Sequence, residues 1–326
     1  MSDLPPEIVA DFLSRVPAQP LLRFRCVLKS WRAIIDNTDF IKTHLNRTIP
    51  TDSDRKLILR SWHLYSAHFD EFEKTNTSVY EELDHPLNRP GVGTILRDQN
   101  VFYGFGYDNV SDDYKVLRIA QSYDCESEVK VFSMKSNSWR KIHCFLHYLK
   151  YERAHGVQAA GALHWVVSRK PDSEMENLLA AFDLGTEEYR LVPEPNYSNE
   201  RAHVMRVLGE SLCVVCNYCV SFYIDIWVMK KYAVKESWTK LFRVAESDVR
   251  IKPLENVTPV AYSKSGREVF MVQNGTLSLW YDTEQRTISY STFCISSVPI
   301  LMEHELCFGS LVRLDGGVSG SWGVGG

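Results

Sequence analysis

The hydrophobic pattern of the chain changes near residue 56, from a helical period to a strand-like one. Before that point, apolar residues recur every three or four positions, which is the spacing of one helix face. Val16-Pro17 separates two such stretches, because a residue before proline is disfavoured in the helical region. The apolar positions are Leu4, Ile8, Phe12 and Val16 in the first stretch, and Leu21, Phe24, Leu28, Trp31 and Ile35 in the second.

A third helical segment is predicted to follow, with Thr38 or Asp39 as its cap and Phe40, Ile41 and Leu45 on its apolar face. Three helices of this size cannot bury all of that apolar surface among themselves. Some of it is therefore expected to face a partner. The alternative is an ordinary helical hairpin that docks on the C-terminal part of the same chain.

After residue 56 the pattern predicts strands almost to the end of the chain. Glycines precede several of these strands, and polar turns followed by a large apolar residue recur after others. The spacing of about 40 to 66 residues brackets the repeat of kelch-type propeller blades. This pattern favours a propeller-like stack of sheets, with an open sandwich as the alternative. The candidate strands are 57–60, 114–119, 128–133, 162–167, 179–183, 211–216, 224–229, 268–272 and 276–281.

Composition and charge restrict the class of protein. The 326 residues are 44% apolar and 24% charged, as in folded domains, and the net charge of −4 argues against nucleic acid as a partner. The N-terminus lacks the basic and apolar regions of a signal peptide. The longest uncharged run, 211–224, is too short to span a bilayer. We therefore expect a protein of the cytoplasm and nucleus that does not insert into membranes.

One cysteine cluster has the spacing of a metal site. Cys213, Cys216 and Cys219 form a C-x-x-C-x-x-C sequence, which iron–sulfur and zinc proteins also use. The cluster lies in a run that reads as a buried strand and turn, and no nearby His or fourth Cys completes a ligand set. We interpret these residues as structural thiols, and the sequence predicts no metal and no cofactor.

The first fifty residues resemble an F-box. The resemblance rests on Leu4-Pro5-x-Glu7-Ile8-Val9 and on the run from Leu21 to Trp31, with Leu28 standing where the family usually has Ser. It implies that the module binds a Skp-type adaptor and, through it, the cullin and RING subunits of a ubiquitin ligase. The adaptor contacts that the resemblance implies are Leu4, Pro5, Ile8, Leu13, Val16, Pro17, Leu21, Leu22, Val27 and Trp31.

The rest of the chain, from about residue 55 to 312, is similar to the kelch-like F-box-associated domains of plants. The blocks at 101–116, 161–165, 181–184 and 224–240 carry the resemblance. It is closest to the defence-repressing constitutive-expresser-of-PR-genes type, which implies an immune receptor among the targets. The family normally carries a G-S-x-N-G-L block and a W-N-P-S-T block after Leu87, and this chain has only residues 88–100 there.

Together these observations predict an α+β chain, in which a three-helix F-box precedes an all-β, propeller-like repeat domain that lacks about one blade. The F-box is assigned to residues 1–47, and a linker with the first strands and the internal deletion to 48–100. The F-box-associated domain is assigned to 101–312. A Gly-rich tail, expected to be disordered, occupies 313–326.

The sequence contains no recognisable enzyme motif, since G-x-S-x-G, H-E-x-x-H and the phosphate-binding Gly-Lys-Ser/Thr loop are absent. The expected function is that of a non-catalytic substrate receptor of a ubiquitin ligase. The alternative is a propeller-type lectin or enzyme with an N-terminal helical hairpin. Target contacts are expected in the aromatic and basic loops. The candidates are Tyr148, Tyr151, Arg153, Arg169, Tyr197 and Arg201.

Overall fold

The computed structural model describes most of the chain, apart from the first and last residues and several internal segments. Among the described residues no helix is long and apolar enough to cross a bilayer. The described ranges are 5–49, 51, 53–60, 64–69, 80–83, 101–121, 127–143, 147–149, 155–170, 177–197, 203–218, 221–250, 253–254, 256–275, 277–294 and 303–311.

Four helices form the N-terminal module, one more than the sequence predicted. They are α1 (Pro6–Leu13), α2 (Ala18–Phe24), α3 (Lys29–Ile35) and α4 (Thr38–Thr48). The second apolar stripe is divided between α2 and α3, because Leu28 adopts an extended conformation with φ −142° and ψ 144°. The side chain of Asn37, rather than Thr38 or Asp39, caps α4 by accepting from the Asp39 and Phe40 amides.

The helices pack around one small apolar core. Its buried residues include Leu13, Leu21, Ile35 and Phe40, each from a different helix. Leu311, close to the C-terminal end of the described chain, is buried in the same cluster. A residue nearly three hundred positions away thus completes the core of the N-terminal module.

The remainder of the chain is almost entirely β, in a five-blade propeller arrangement. This confirms the prediction of an all-β, propeller-like domain and excludes the open sandwich. The first three sheets use β1 (Arg55–Arg60), β2 (Leu64–His68), β3 (Tyr80–Leu83), β4 (Val101–Asp108), β5 (Asp113–Ala120), β6 (Glu128–Ser133), β7 (Ser138–Lys141), β8 (Tyr148–Leu149), β9 (Val157–Ala159), β10 (Ala162–Ser168), β11 (Leu178–Asp183) and β12 (Tyr189–Val192). The last two use β13 (His203–Leu208), β14 (Ser211–Tyr218), β15 (Tyr223–Met229), β16 (Trp238–Ala245), β17 (Val257–Tyr262), β18 (Glu268–Gln273), β19 (Leu277–Asp282) and β20 (Thr287–Cys294), and β21 (Glu303–Phe308) returns to the first.

The strands follow chain order within each sheet, apart from the first sheet. Sheet 1 has the order β21-β1-β2-β3, so the C-terminal strand pairs with the first one, in an antiparallel register that sets Arg55 opposite Phe308. Sheet 2 is β4-β5-β6-β7, sheet 4 is β13-β14-β15-β16 and sheet 5 is β17-β18-β19-β20. Sheet 3 is β12-β11-β10-β8, with β9 also paired to β10.

The polar turns that recur in the sequence are hairpin turns within these sheets. The carboxylate of Asp183 accepts from the amides of Gly185 and Thr186, and that of Asp282 accepts from the amides of Glu284 and Gln285. Glu187 and Arg286 then adopt a left-handed conformation, with φ 60° and 57°. The Asp side chain therefore substitutes for a backbone acceptor in each turn.

Burial along the inner strands differs between sheets. All seven residues of β10 are buried, as are most residues of β14, β18 and β19, so these strands are covered on both faces. In β5 and β1 buried and half-buried residues alternate instead. Sheets 1 and 2 are therefore well covered on one face only, and they adjoin in sequence the region where the expected family blocks are missing.

Candidate functional site

The N-terminal helices expose several large apolar side chains. Ile8 and Phe12 on α1 are 56% and 55% exposed, and Leu22, Val27 and Leu28 in and after α2 are 50–57% exposed. Soluble proteins rarely leave this much apolar surface in so short a segment without a partner. These five residues are the candidate binding surface of the module.

The orientation of α1 explains this exposure. Leu13 is fully buried and Val9 and Ala10 pack against the same cluster, so they form the inward face of the helix. Ile8 and Phe12 are four positions apart and share the opposite face. The stripe predicted from Leu4 to Val16 therefore contributes Ile8 and Phe12 to the exposed face of α1. The buried face is formed by their neighbours in sequence, Val9, Ala10 and Leu13.

The residues expected to contact the adaptor fall into two groups. Pro5, Ile8, Pro17, Leu22 and Val27 are exposed. Leu13 and Leu21 are fully buried, so in this conformation they support the surface from inside. Val16 and Trp31 pack partly against the helical core, and the Trp31 ring lies 5.7 Å from that of Phe24. Leu4 lies outside the described residues, and the contact roles of all ten remain a prediction.

Sequence reasoning did not assign Phe12 and Leu28 to the candidate surface. Both belong to the apolar stripes predicted from the sequence, and both are more than half exposed. The signal that could have identified Phe12 is its position one turn after Ile8, a residue already expected to face a partner. Leu28 gives a weaker signal, because its position depends on the break between α2 and α3.

An ion pair holds the turn between α2 and α3. Nε of Arg25 lies 2.7 Å from Oδ1 of Asp36, and Nη2 donates to Oδ2 at 3.0 Å. The pair joins the residue after α2 to the residue after α3. Because Val27 and Leu28 lie two and three residues after Arg25, the pair also positions two members of the exposed surface.

The helical module is attached to sheet 1 through Asp54. Its carboxylate accepts from the amide of Ala18 at 3.0 Å, where Pro17 offers no side-chain cap to α2. The backbone carbonyl of Asp54 accepts from the amide of Gly309 at 2.9 Å, and Gly309 is the residue directly after β21. A Cβ at position 309 would overlap the Asp54 carboxylate, so this approach requires glycine. Asp54 thus links a helix, the start of β1 and the end of β21.

The candidate target contacts in the β domain are only partly described. Arg169 is exposed, and Tyr148 lies in the short strand β8, paired with β10. The Tyr197 ring is half-buried against an apolar cluster and its hydroxyl donates to Glu194 at 2.7 Å; its role as a target contact stays a prediction. Tyr151, Arg153 and Arg201 lie outside the described residues.

Two residues of the cysteine cluster, Cys213 and Cys216, lie in strand β14. Cys213 and Cys216 are buried, and their separation by three positions places them on opposite faces of the strand. Burial raises the pKa of the Cys213 thiol to about 12, and that of Cys216 is also raised. Both positions therefore favour a protonated thiol over a metal-binding thiolate. Cys219 lies outside the described residues.

The buried charges of the β domain join neighbouring sheets. Nζ of Lys115 in sheet 2 lies 2.8 Å from the Asp108 carboxylate, 2.7 Å from the Leu184 carbonyl and 3.0 Å from Glu187 of sheet 3. Burial alone would raise the pKa of Asp108, but hydrogen bonds from Lys115, Ser111 and the Val110 amide lower it to about 2. Within the described ranges no three metal-ligating side chains come together. The geometry is that of a structural bridge.

Comparison with known proteins follows the same division of the chain. Residues 1–43 match the F-box domain, and residues 92–306 match the F-box associated beta propeller domain. The second match spans more than half of the chain. The chain belongs to the F-box proteins that carry an F-box-associated beta-propeller domain. Proteins with an F-box generally act as substrate adaptors and not as catalysts.

Two relatives of this F-box protein are from Arabidopsis thaliana. The F-box protein CPR1 is 33% identical over 377 aligned positions that cover 96% of this chain and 89% of CPR1. An F-box/kelch-repeat protein is 25% identical over 84% of this chain and 89% of its own length. The alignment with CPR1 is longer than the 326 residues of this chain, so CPR1 contains segments that have no counterpart here.

Proposed function

We propose that this protein is a substrate receptor of an SCF-type ubiquitin ligase. The F-box binds a Skp-type adaptor, which connects it to the cullin and RING subunits. The β domain binds the target protein. The receptor contributes proximity and orientation rather than a reactive side chain, and these alone can accelerate transfer of ubiquitin to a target lysine.

The observation that carries this proposal is the apolar surface of the F-box. Ile8, Phe12, Leu22, Val27 and Leu28 are all about half exposed, although the same four helices bury a compact core beneath them. An F-box match together with an unburied apolar surface supports adaptor binding. Desolvated apolar anchors of this kind carry most of the free energy of an interface.

The target and its cellular context belong to the same proposal. The resemblance to the defence-repressing type, together with the similarity to CPR1 along nearly the whole chain, supports a target in plant defence, with immune receptors as the first class to test. We place the protein in the cytoplasm and nucleus, where the ligase subunits it requires would meet such a target.

Pull-down of the full chain with a recombinant Skp-type adaptor tests the proposal. Changing Ile8 or Leu22 to Asp should lower adaptor affinity at least about tenfold, because each variant places a charge on the apolar surface. Leu191→Asp is the matched control, since Leu191 is 45% exposed on β12, outside the F-box. The double change of Leu4 and Pro5 to Ala should also abolish co-precipitation.

Circular dichroism of each variant separates lost contact from lost structure. Equal adaptor binding by Ile8→Asp, Leu22→Asp and the unmodified chain, all with normal helicity, would refute the assignment. A chain that never co-purifies with an adaptor would favour a propeller-type lectin or enzyme instead.

A further inference from the structure

Sheet 2 has one buried face and one face, called the open face, whose described residues are half-buried or exposed. The buried face packs on sheet 3 and includes Phe102, Leu117, Val129 and Val131. On the opposite face, the β5 residues are only half-buried; they are Tyr114, Val116, Arg118 and Ala120. By contrast, the corresponding strands of sheets 3 and 4, β10 and β14, are covered on both sides.

The open face carries an apolar row across all four strands. The row follows the register of the sheet, because Phe105 is opposite Val116, Val116 is opposite Phe132, and Phe132 is opposite Trp139. Phe105 is 51% exposed and Trp139 is 48% exposed. We call these four residues the open row of sheet 2.

Aromatic contacts already order this surface. The Phe105 ring stacks on Tyr114 with centroids 5.5 Å apart and planes 5° apart, and Phe132 lies 5.2 Å from Trp139. Tyr107 also contacts Tyr114, and its hydroxyl donates to Asp112. Rigid aromatic side chains lose little conformational entropy on binding, so a row of this kind suits a protein interface.

A basic row runs beside the open row. Arg118 is opposite Lys130, and Lys130 is opposite Lys141. Glu128 neutralises part of this charge, with Arg118 at 3.1 Å and Lys130 at 2.9 Å. Hydrogen bonding to Lys130, together with the charges of Arg118 and Lys141, lowers the pKa of Glu128. The surface therefore retains an excess of positive charge next to exposed aromatic rings.

We infer that the open row of sheet 2, with Arg118, Lys130 and Lys141 beside it, binds an acidic segment of the target protein that carries apolar side chains. This inference rests on the proposed function of the β domain. The apolar side chains of such a segment would cover Phe105, Phe132 and Trp139, and its carboxylates would face the basic row. Charge complementarity selects this partner over a basic or purely apolar one.

Selection of displayed random short peptides on the full chain tests the inference. We expect selected peptides to be rich in Asp and Glu next to Leu, Phe or Trp. A resynthesised peptide should lose about tenfold or more in affinity for Trp139→Ala and for Lys130→Glu. Affinity should also fall with rising salt, because the basic row is exposed.

Matched variants elsewhere provide the controls. Phe222→Ala removes an aromatic ring that is 62% exposed in the turn after β14, and Lys235→Glu reverses an exposed charge. Neither should change peptide affinity. Selection of basic peptides, absence of any selected peptide, or equal binding by Trp139→Ala would overturn the inference. A dimer in sedimentation that Trp139→Ala dissociates would also overturn it, in favour of a second copy as the occupant.

These experiments test the ligase role and the target-binding surface independently of each other. Adaptor co-purification reports on the F-box and does not depend on Trp139 or Lys130. Loss of adaptor binding with intact peptide binding would refute the ligase role but retain the surface. Normal adaptor binding without peptide binding would refute only the surface.

Discussion

At the scale of single residues, the interior of the β domain contains polar groups whose protonation is determined by burial. His164 on β10 is fully buried. Its Nδ1 lies 3.1 Å from the Val157 carbonyl and its Nε2 lies 2.7 Å from the Tyr232 hydroxyl. These partners suit a neutral ring that donates at one nitrogen and accepts at the other. Burial lowers the pKa of His164 to about 4.

His164 should therefore make stability depend on pH. In the unfolded chain the ring protonates near pH 6.5, and in the folded chain only near pH 4. Because the unfolded state binds the extra proton in that interval, the free energy of unfolding should fall by up to about 3 kcal/mol as pH drops from 6.5 to 4. Urea unfolding followed by tryptophan fluorescence measures this. His164→Gln should lose that part of the pH dependence, and an identical pH profile for both chains would contradict the prediction.

A second residue-scale prediction concerns Lys115. Its ammonium group neutralises two carboxylates, Asp108 and Glu187, at a site with little access to solvent. Lys115→Met would leave both without their shared cation, which typically costs about 3–5 kcal/mol for a buried pair. Thermal and urea unfolding should show this loss. Lys170→Met, at an exposed position, is the control, and an equal effect of the two changes would contradict a bridging role for Lys115.

At the scale of elements, the position of each helix depends on residues outside it. Helix α2 begins after Pro17, which offers no side-chain cap, and the Asp54 carboxylate supplies the missing acceptor from a position 36 residues later. A carboxylate at a helix N-terminus also interacts favourably with the helix dipole. The start of α2, and with it Leu22 on the candidate surface, is therefore coupled to the first strand of sheet 1.

Removal of this cap should destabilise the F-box while the β domain stays folded. Asp54→Ala is expected to cost about 0.5–2 kcal/mol, the usual range for loss of a helix cap. Hydrogen exchange of the α2 amides should increase, and exchange in sheets 3 and 4 should not change. Ser53→Ala, at the neighbouring position, is the control. Unchanged protection of α2 in Asp54→Ala would show that the contact does not stabilise the helix.

At the scale of the whole molecule, the two ends of the chain meet in one sheet and one core. Strand β21 pairs with β1 along six residues, and Leu311 then enters the apolar cluster of the helices. These contacts join residues that lie far apart in sequence, so forming them lowers the conformational entropy of the chain. Only the packing of the completed fold offsets that loss. The N-terminal module and the first sheet therefore depend on the last described strand.

Truncation tests this dependence. A chain that ends after residue 302 should unfold at a lower temperature and aggregate in size-exclusion chromatography, because β1 would present an unpaired edge and the helical core would lose Leu311. A chain that ends after residue 311 retains both and is the control. Equal behaviour of the two truncated chains would contradict a structural role for β21.

The sequence by itself determined that the N-terminal part is helical and the rest is β, and it located nine of the 21 described strands. Candidate strands such as 128–133 and 162–167 agree with β6 and β10 to within a residue, because strand alternation and turn chemistry act between neighbours. Tertiary structure decided which faces are covered. The inward face of α1, the break at Leu28, the cap from Asp54 and the half-buried face of β5 all depend on surfaces that fold from distant parts of the chain. Local periodicity identifies an apolar stripe, but only packing determines whether that stripe enters the core or remains open to a partner.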